Sequence, residues 1–257
     1  MKTALITGAS EGIGYEFAKI FAHQGINLIL VARNEARLQA IAKELSSDEV
    51  NVTFYAKDLS IIDNASFVYD DIKSRNITVD YLINNAGFGI NGDYVDIDWQ
   101  KEQEMFNLNM MTVAYFTKMF AKDMKNSGFG RILNLGSTGS FQPGPNMAGY
   151  CATKAFVLNL SQAVNYELKG TNVVVSTLCP GVTDTKFHAV AQTGATIMSK
   201  LLTHAKPADV AKYGFKLMMK KKTLGVHGLL NKFMVFSNRF TSRAIITAVA
   251  GGLMKKK

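Results

Sequence analysis

Tyr150 and Lys154, in the run Tyr150-Cys151-Ala152-Thr153-Lys154, are spaced for joint proton chemistry. Residues four apart share one face of a helix, so the phenol and the ammonium point into the same space. A phenol ordinarily titrates near 10, too high for ready proton exchange at neutral pH, and a neighbouring ammonium is expected to lower that value. The pair therefore reads as a proton donor with an electrostatic partner. Tyr-x-x-x-Lys also arises by chance on amphipathic helices, so its meaning depends on what the rest of the chain brings to it.

The elements that must position the pair can be read in order. Thr3-Ala4-Leu5-Ile6-Thr7 is a short apolar strand, followed by Gly8-Ala9-Ser10-Glu11-Gly12-Ile13-Gly14. Ile13, Phe17, Ile20 and Phe21 then recur at helical spacing, so this glycine-rich turn joins a strand to a helix N-terminus. Glycines let the backbone approach a pyrophosphate, and the free N–H groups and dipole of the helix start attract its charge. Gly8, Ser10, Gly12, Ile13 and Gly14 are the expected phosphate loop; a plain tight turn is the alternative that the strand-loop-helix context disfavours.

A second strand, Asn27 to Val31, ends in Ala32-Arg33-Asn34. A carboxylate here would bind ribose hydroxyls, whereas an arginine suits a 2′-phosphate. Arg33 without an acid therefore favours NADP(H) over NAD(H). Further strands are expected at Val52 to Tyr55, Tyr81 to Ile83, Arg131 to Leu135 and Val173 to Leu178, with helices between them, including Glu35 to Leu45, Trp99 to Asn109 and Thr112 to Met124. Asn84-Asn85-Ala86-Gly87 and Gly136-Ser137 follow strand ends, on the edge where open parallel sheets bind ligands. The pattern predicts an α/β fold over residues 1–257: one domain, a doubly wound parallel sheet with helices on both faces.

Thr7-Gly8…Gly12…Gly14, Asn84-Asn85-Ala86-Gly87, Ser137, Tyr150…Lys154 and Cys179-Pro180-Gly181 occur in the order and approximate spacing of the short-chain dehydrogenase/reductase family, over roughly residues 1 to 190. The stretch Gly149 to Phe156, with Glu167 to Thr171, resembles a bacterial carbonyl-reductase branch that is also similar to hydroxysteroid and long-chain ketoacyl reductases. The resemblance implies a Rossmann-type, NADP(H)-dependent oxidoreductase interconverting a carbonyl compound and its alcohol. It implies Tyr150 as general acid, Ser137 bonding the carbonyl oxygen, Lys154 also holding the nicotinamide ribose, and Asn109 linking Lys154 through water to solvent. Asn107 carries the same side chain two residues earlier. Asp58 and Leu59 would contact the adenine. Asn85, Ala86 and Gly87 would line the cofactor, and the Pro180-Gly181-Val182-Thr183-Asp184-Thr185 loop would close over the nicotinamide, with Thr183 or Thr185 reaching it. Glu11 departs from those NADP-dependent relatives that carry a basic residue in the glycine loop. Assembly as a homodimer or homotetramer is also implied.

Composition narrows the remaining classes. At 257 residues and 47% hydrophobic content the chain can bury a single sizeable core. Cys151 and Cys179 have no CxxC or Cys/His metal spacing, and His23, His188, His204 and His227 form no paired ligand motif, so no metal site and a reducing, cytoplasmic setting are expected. No signal-peptide pattern opens the chain, and no run reaches the ~18 to 20 apolar residues of a membrane span. The net charge of +9 is unevenly placed: residues 1–200 carry 17 Lys+Arg against 19 Asp+Glu, residues 201–257 carry 12 against one. Residues 186–222 are expected as a substrate lid and its following helix, with the apolar His188 to His204 favouring a hydrophobic carbonyl compound. In residues 223–257, Leu229, Phe233, Phe236 and Phe240 recur at three and four beside Lys232, Arg239 and Arg243, the pattern of a basic amphipathic helix. Such a helix packs on the body or a second subunit, lies on a membrane surface, or docks an anionic substrate carrier. Nucleic acid is not expected, since no aromatic platform accompanies the charge. Two other functions fit the same residues: a catalytically idle NADP-binding regulator or scaffold, and a peripheral-membrane reductase of lipid-like ketones.

Overall fold

In a strand buried on both faces, successive side chains must find apolar partners on opposite sides. The first strand does this: Ala4 and Ile6 join one core with Leu28 and Leu30, while Leu5 joins the other with Ile29 and Val31. The computed structural model describes residues 1–187, 191, 196–197 and 204–254. In chain order its strands are β1 (Thr3–Thr7), β2 (Asn27–Ala32), β3 (Val52–Ala56), β4 (Tyr81–Asn84), β5 (Gly130–Leu135), β6 (Val173–Cys179) and β7 (Leu224–Val226). They form one parallel sheet in the order β3-β2-β1-β4-β5-β6-β7.

Helices cover both faces. On one side, α1 (Gly12–His23) buries Phe17 and Phe21, α2 (Glu35–Leu45) buries Leu38 and Ile41, and α7 (Pro207–Met219) buries Val210 and Leu217. On the other, α3 (Ile62–Ser74) buries Val68 and Ile72, and α5 (Val113–Ser127) buries Phe116 and Phe120. The remaining helices among the described residues are α4 (Trp99–Phe106), α6 (Ala148–Glu167), α8 (Leu229–Ser237) and α9 (Arg243–Met254). Strand order reverses between β1 and β4, so the loops leaving their carboxyl ends diverge and open a crevice at the switch point.

Two features differ from the sequence expectation. The two helices expected over 99–109 and 112–124 are continuous: α4 passes through a π-helical turn at Asn107–Thr112 directly into α5, since neither glycine nor proline interrupts the run. The stretch expected to open a basic extension at 223 first contributes β7, three residues paired with β6, too short to register as a periodic strand. Most of the lid expected over 188–204 lies outside the described residues.

Candidate active site

Thr7 ends β1 at the crevice and ties its two loops together. Its Oγ1 accepts from the backbone N–H groups of Asn85 (3.0 Å) and Ala86 (2.9 Å), while Asn85 Nδ2 donates to the carbonyls of Thr7 (2.9 Å) and Gly8 (3.1 Å). Asn84 turns inward instead and donates to Asn134 at 2.8 Å. The glycine loop is thereby fastened to the β4 loop. Gly8 and Gly12 hold φ of +64° and +57°, the left-handed region that side chains disfavour, and a Cβ on Gly14 would collide with the carbonyl oxygen of Gly8. No acid stands in the first turn of α1, and no side chain caps it. Its leading N–H groups face the loop, an arrangement that fits a bound pyrophosphate.

Beside this cradle lies a cavity of about 240 Å³ lined by Ser10, Glu11, Gly12, Asn34, Arg37 and Lys186 with Tyr15. Arg37, in the first turn of α2, donates through Nε to the Ser10 carbonyl at 3.3 Å and stacks over the Tyr15 ring at 4.9 Å. Arg33 is solvent-exposed and pairs loosely with Asp58 at 3.7 Å. A guanidinium is a fork of donors of the kind that binds a phosphate well. Glu11 opposes the two arginines in charge, but Lys186 meets its carboxylate at 2.7 Å. Sequence reasoning missed Arg37 and Lys186. The one available signal was Arg37 standing four residues after Arg33; Lys186 had none, because its position depends on a loop returning from β6.

That loop crosses the crevice. Thr185 packs against Gly12, where an added Cβ would sit 3.1 Å from Thr185 Cγ2. The Pro180 carbonyl accepts from Thr138 N at 3.0 Å, and Val182 O accepts from Ala205 N at 2.9 Å. The hydroxyl of Thr183 donates to the Gly181 carbonyl at 3.0 Å and that of Thr185 to the Thr183 carbonyl at 3.4 Å. Gly181 lies under Asn231, whose amide leaves no room there for a side chain. Just after β3, Asp58 accepts from the backbone N–H and the hydroxyl of Ser60, and the buried Leu59 offers its carbonyl to Thr112 at 2.6 Å. Ile13 packs beside the core from the start of α1.

At the carboxyl edge of β5 and the start of α6 the four expected catalytic side chains come together. Ser137 caps a short turn, Thr138–Phe141, its Oγ accepting from Gly139 N at 3.1 Å. Tyr150 packs on Phe187, ring centroids 5.3 Å apart, and Gly89 leaves space for both rings. Lys154 is buried and donates to the Leu135 carbonyl at 2.8 Å, with its Nζ 5.8 Å from the Tyr150 ring centre. Asn109 sits on the π-helical turn, fully buried; its Nδ2 donates to Phe88 O (2.8 Å) and Thr153 Oγ1 (3.1 Å), and its Oδ1 accepts from Phe88 N (3.2 Å). Gly87 brings the β4 loop against this group: a Cβ there would lie 2.8 Å from Asn109 Oδ1 and 3.5 Å from Lys154 Nζ.

The electrostatics differ from the sequence expectation. Burial drives the Tyr150 phenol well above its ordinary value, opposed by hydrogen bonding from Ser137. Burial also pulls Lys154 down to about 8. Desolvation is the largest cause at both groups, and Lys154 donates to the Leu135 carbonyl. Cys151 and Cys179, both buried, are raised to about 11 and 12 and stay thiols. Among the described residues no group of His, Cys, Asp and Glu could hold a metal ion.

A family model described as short chain dehydrogenase matches residues 2–195. The chain belongs to the short-chain dehydrogenase family. It is thus an oxidoreductase, and its doubly wound fold is that of the family's solved members. The ketoacyl reductase HetN of a Nostoc species is 30% identical over 230 residues, covering 86% of this chain and 77% of that protein. A short-chain dehydrogenase from Sphingobium yanoikuyae, solved in complex with NADPH, is 31% identical and superposes with a TM-score of 0.81 over 93% of this chain and 94% of its own. The bulky-bulky ketone specific alcohol dehydrogenase of Comamonas testosteroni is 28% identical, with a TM-score of 0.78 over 93% and 92%.

Proposed function

We propose that the protein is an NADP(H)-dependent reductase converting a hydrophobic ketone or aldehyde to its alcohol. The observation that carries this reading is Tyr150 set between Ser137 and the buried Lys154 at the sheet edge that also holds the glycine cradle. The solved relatives in complex with NADPH and with 5-hydroxy-NADP support the choice of cofactor, as do Arg33, just past the end of β2, and Arg37, in the first turn of α2 beside the glycine loop.

Gly8, Ser10, Gly12, Ile13 and Gly14 would hold the pyrophosphate, Arg33 and Arg37 the 2′-phosphate, and Asp58 with Leu59 the adenine. Asn85, Ala86, Gly87 and the Pro180-to-Thr185 loop would enclose the nicotinamide ribose and ring, with Lys154 on the ribose hydroxyls. When bound, the nicotinamide supplies the hydride that reaches the carbonyl carbon. Ser137 Oγ hydrogen-bonds the carbonyl oxygen and fixes its direction. Tyr150 gives that oxygen its proton; burial makes the phenol a weaker acid, which its hydrogen bond with Ser137 opposes. The phenolate left behind is stabilised by Lys154, which is still largely cationic at neutral pH and returns a proton by way of Asn109 and solvent. Met147, Phe187, Ala191 and Met254 cluster around Tyr150 and favour an apolar substrate.

A catalytically idle NADP-binding protein would have no use for the Ser137, Tyr150 and Lys154 arrangement. NADPH consumption with a panel of ketones and aldehydes tests the reading against that rival. Turnover abolished by Tyr150→Phe with NADPH binding intact supports it, and binding without turnover across the panel overturns it.

A further inference from the structure

The C-terminal helices leave large apolar side chains in solvent. In α8 no residue is buried: Leu229 is 84% exposed, Phe233 68%, and Phe240 just beyond the helix 77%. In α9, Ile246 and Ala250 pack inward while Ile245 and Val249 stay more than half exposed on the outer side. Exposed Lys232, Arg239 and Arg243 flank these residues, and among the described residues none of the three lies in an ion pair. A contiguous exposed apolar surface of this kind marks an interaction site.

We infer that the α8–α9 arm docks on the surface of an anionic lipid bilayer. The charge distribution selects the occupant. The arm, residues 229–254, carries Lys232, Arg239 and Arg243 and no acid, whereas residues 1–200 are close to neutral with 17 Lys+Arg against 19 Asp+Glu. A symmetric contact with a second copy sets a patch against itself, so each cationic arm would meet another without a carboxylate to answer it. Nucleic acid would answer the charge but not the phenylalanine and leucine side chains. A leaflet of anionic lipid answers both, taking the apolar side chains at the acyl boundary and the cations among the head groups. The helices, nine and twelve residues long, suit lying in that interface, and no described helix is long and apolar enough to cross a membrane.

The arm is also a wall of the catalytic pocket. Asn238 Nδ2 donates to Gln142 Oε1 at 3.2 Å, Gly251 packs on Pro145, and Met254 joins the apolar cluster at Tyr150. Docking would therefore hold the pocket at the lipid surface, where apolar carbonyl compounds concentrate. The docking itself does not depend on the proposed catalytic reading.

Flotation of the full chain with phosphatidylcholine vesicles, with or without about one third phosphatidylglycerol, tests the inference. Co-flotation with the anionic vesicles is expected, falling at least about tenfold with neutral vesicles or at about 0.5 M salt. Phe233→Ser/Phe240→Ser and Lys232→Glu/Arg239→Glu should each reduce the bound fraction about tenfold, with unfolding temperatures near that of the parent because these side chains are exposed. Absence of flotation with anionic vesicles at low salt would overturn the inference, as would binding that neither variant changes. A dimer in sedimentation velocity that Phe233→Ser/Phe240→Ser dissociates would also overturn it, assigning the face to a second copy.

Discussion

Lys154 Nζ donates to the Leu135 carbonyl at 2.8 Å, joining α6 to the end of β5. The bond holds an ammonium inside the protein at a cost, since burial lowers its pKa from 10.5 to about 8. Between those values the unfolded chain binds a proton that the folded chain lacks, so stability rises with pH across that window, and below it the buried charge costs about 3 kcal/mol. Lys154→Met removes this cost but leaves the Leu135 carbonyl unpaired, a loss of about 1–3 kcal/mol. Denaturant unfolding at pH 7 should therefore show a net change within about 2 kcal/mol, with the parent gaining on the variant as pH rises from 8 to 10. Reduction should fall about 100-fold or more in the variant, and in the parent should decline above about pH 8 as the ammonium is lost.

Arg33→Ala and Arg37→Ala should each raise KM for NADPH about 10-fold or more and leave KM for NADH nearly unchanged, because only the former cofactor carries the 2′-phosphate. Initial rates with both cofactors check this; equal effects would remove the phosphate assignment.

The Glu11–Lys186 ion pair, at 2.7 Å, sets a cation against an acidic side chain in the lining of the cavity beside the glycine loop. Lys186→Ala should weaken NADPH several-fold by exposing the Glu11 carboxylate to the ligand's charge. Adding Glu11→Gln to that variant should restore most of the loss, and a double-mutant cycle on Kd measures the coupling.

Gly87→Ala would drive a methyl group toward Asn109 Oδ1, 2.8 Å from the new Cβ. Displacing Asn109 shifts its bonds to Phe88 and Thr153, so kcat should fall about 10- to 100-fold, as for small misplacements of catalytic groups. Circular dichroism and the unfolding midpoint show whether the sheet is kept; a wild-type kcat would separate Asn109 from proton return.

Most of the sheet was legible because each strand is an apolar run bounded by turn residues. Among the described strands only β7 escaped, as three residues carry no period. Ser137, Tyr150 and Lys154 were readable as chemistry at strand and helix ends. The join of α4 and α5 at Asn109 was not, because a π-helical turn leaves no glycine or proline to mark it.

By itself, the sequence determined the alternation of strand and helix, the glycines that let backbone approach phosphate, and the spacing that puts Tyr150 and Lys154 on one helical face. Those properties are local, set by a few neighbouring residues. The tertiary structure decided the proton affinities and the neighbours. Burial beside Leu135 lowered Lys154, an enclosed pocket raised Tyr150, and the loop from β6 carried Lys186 back to Glu11 across 175 positions of chain. Desolvation and long-range pairing depend on what the fold excludes and brings together, which no residue spacing specifies.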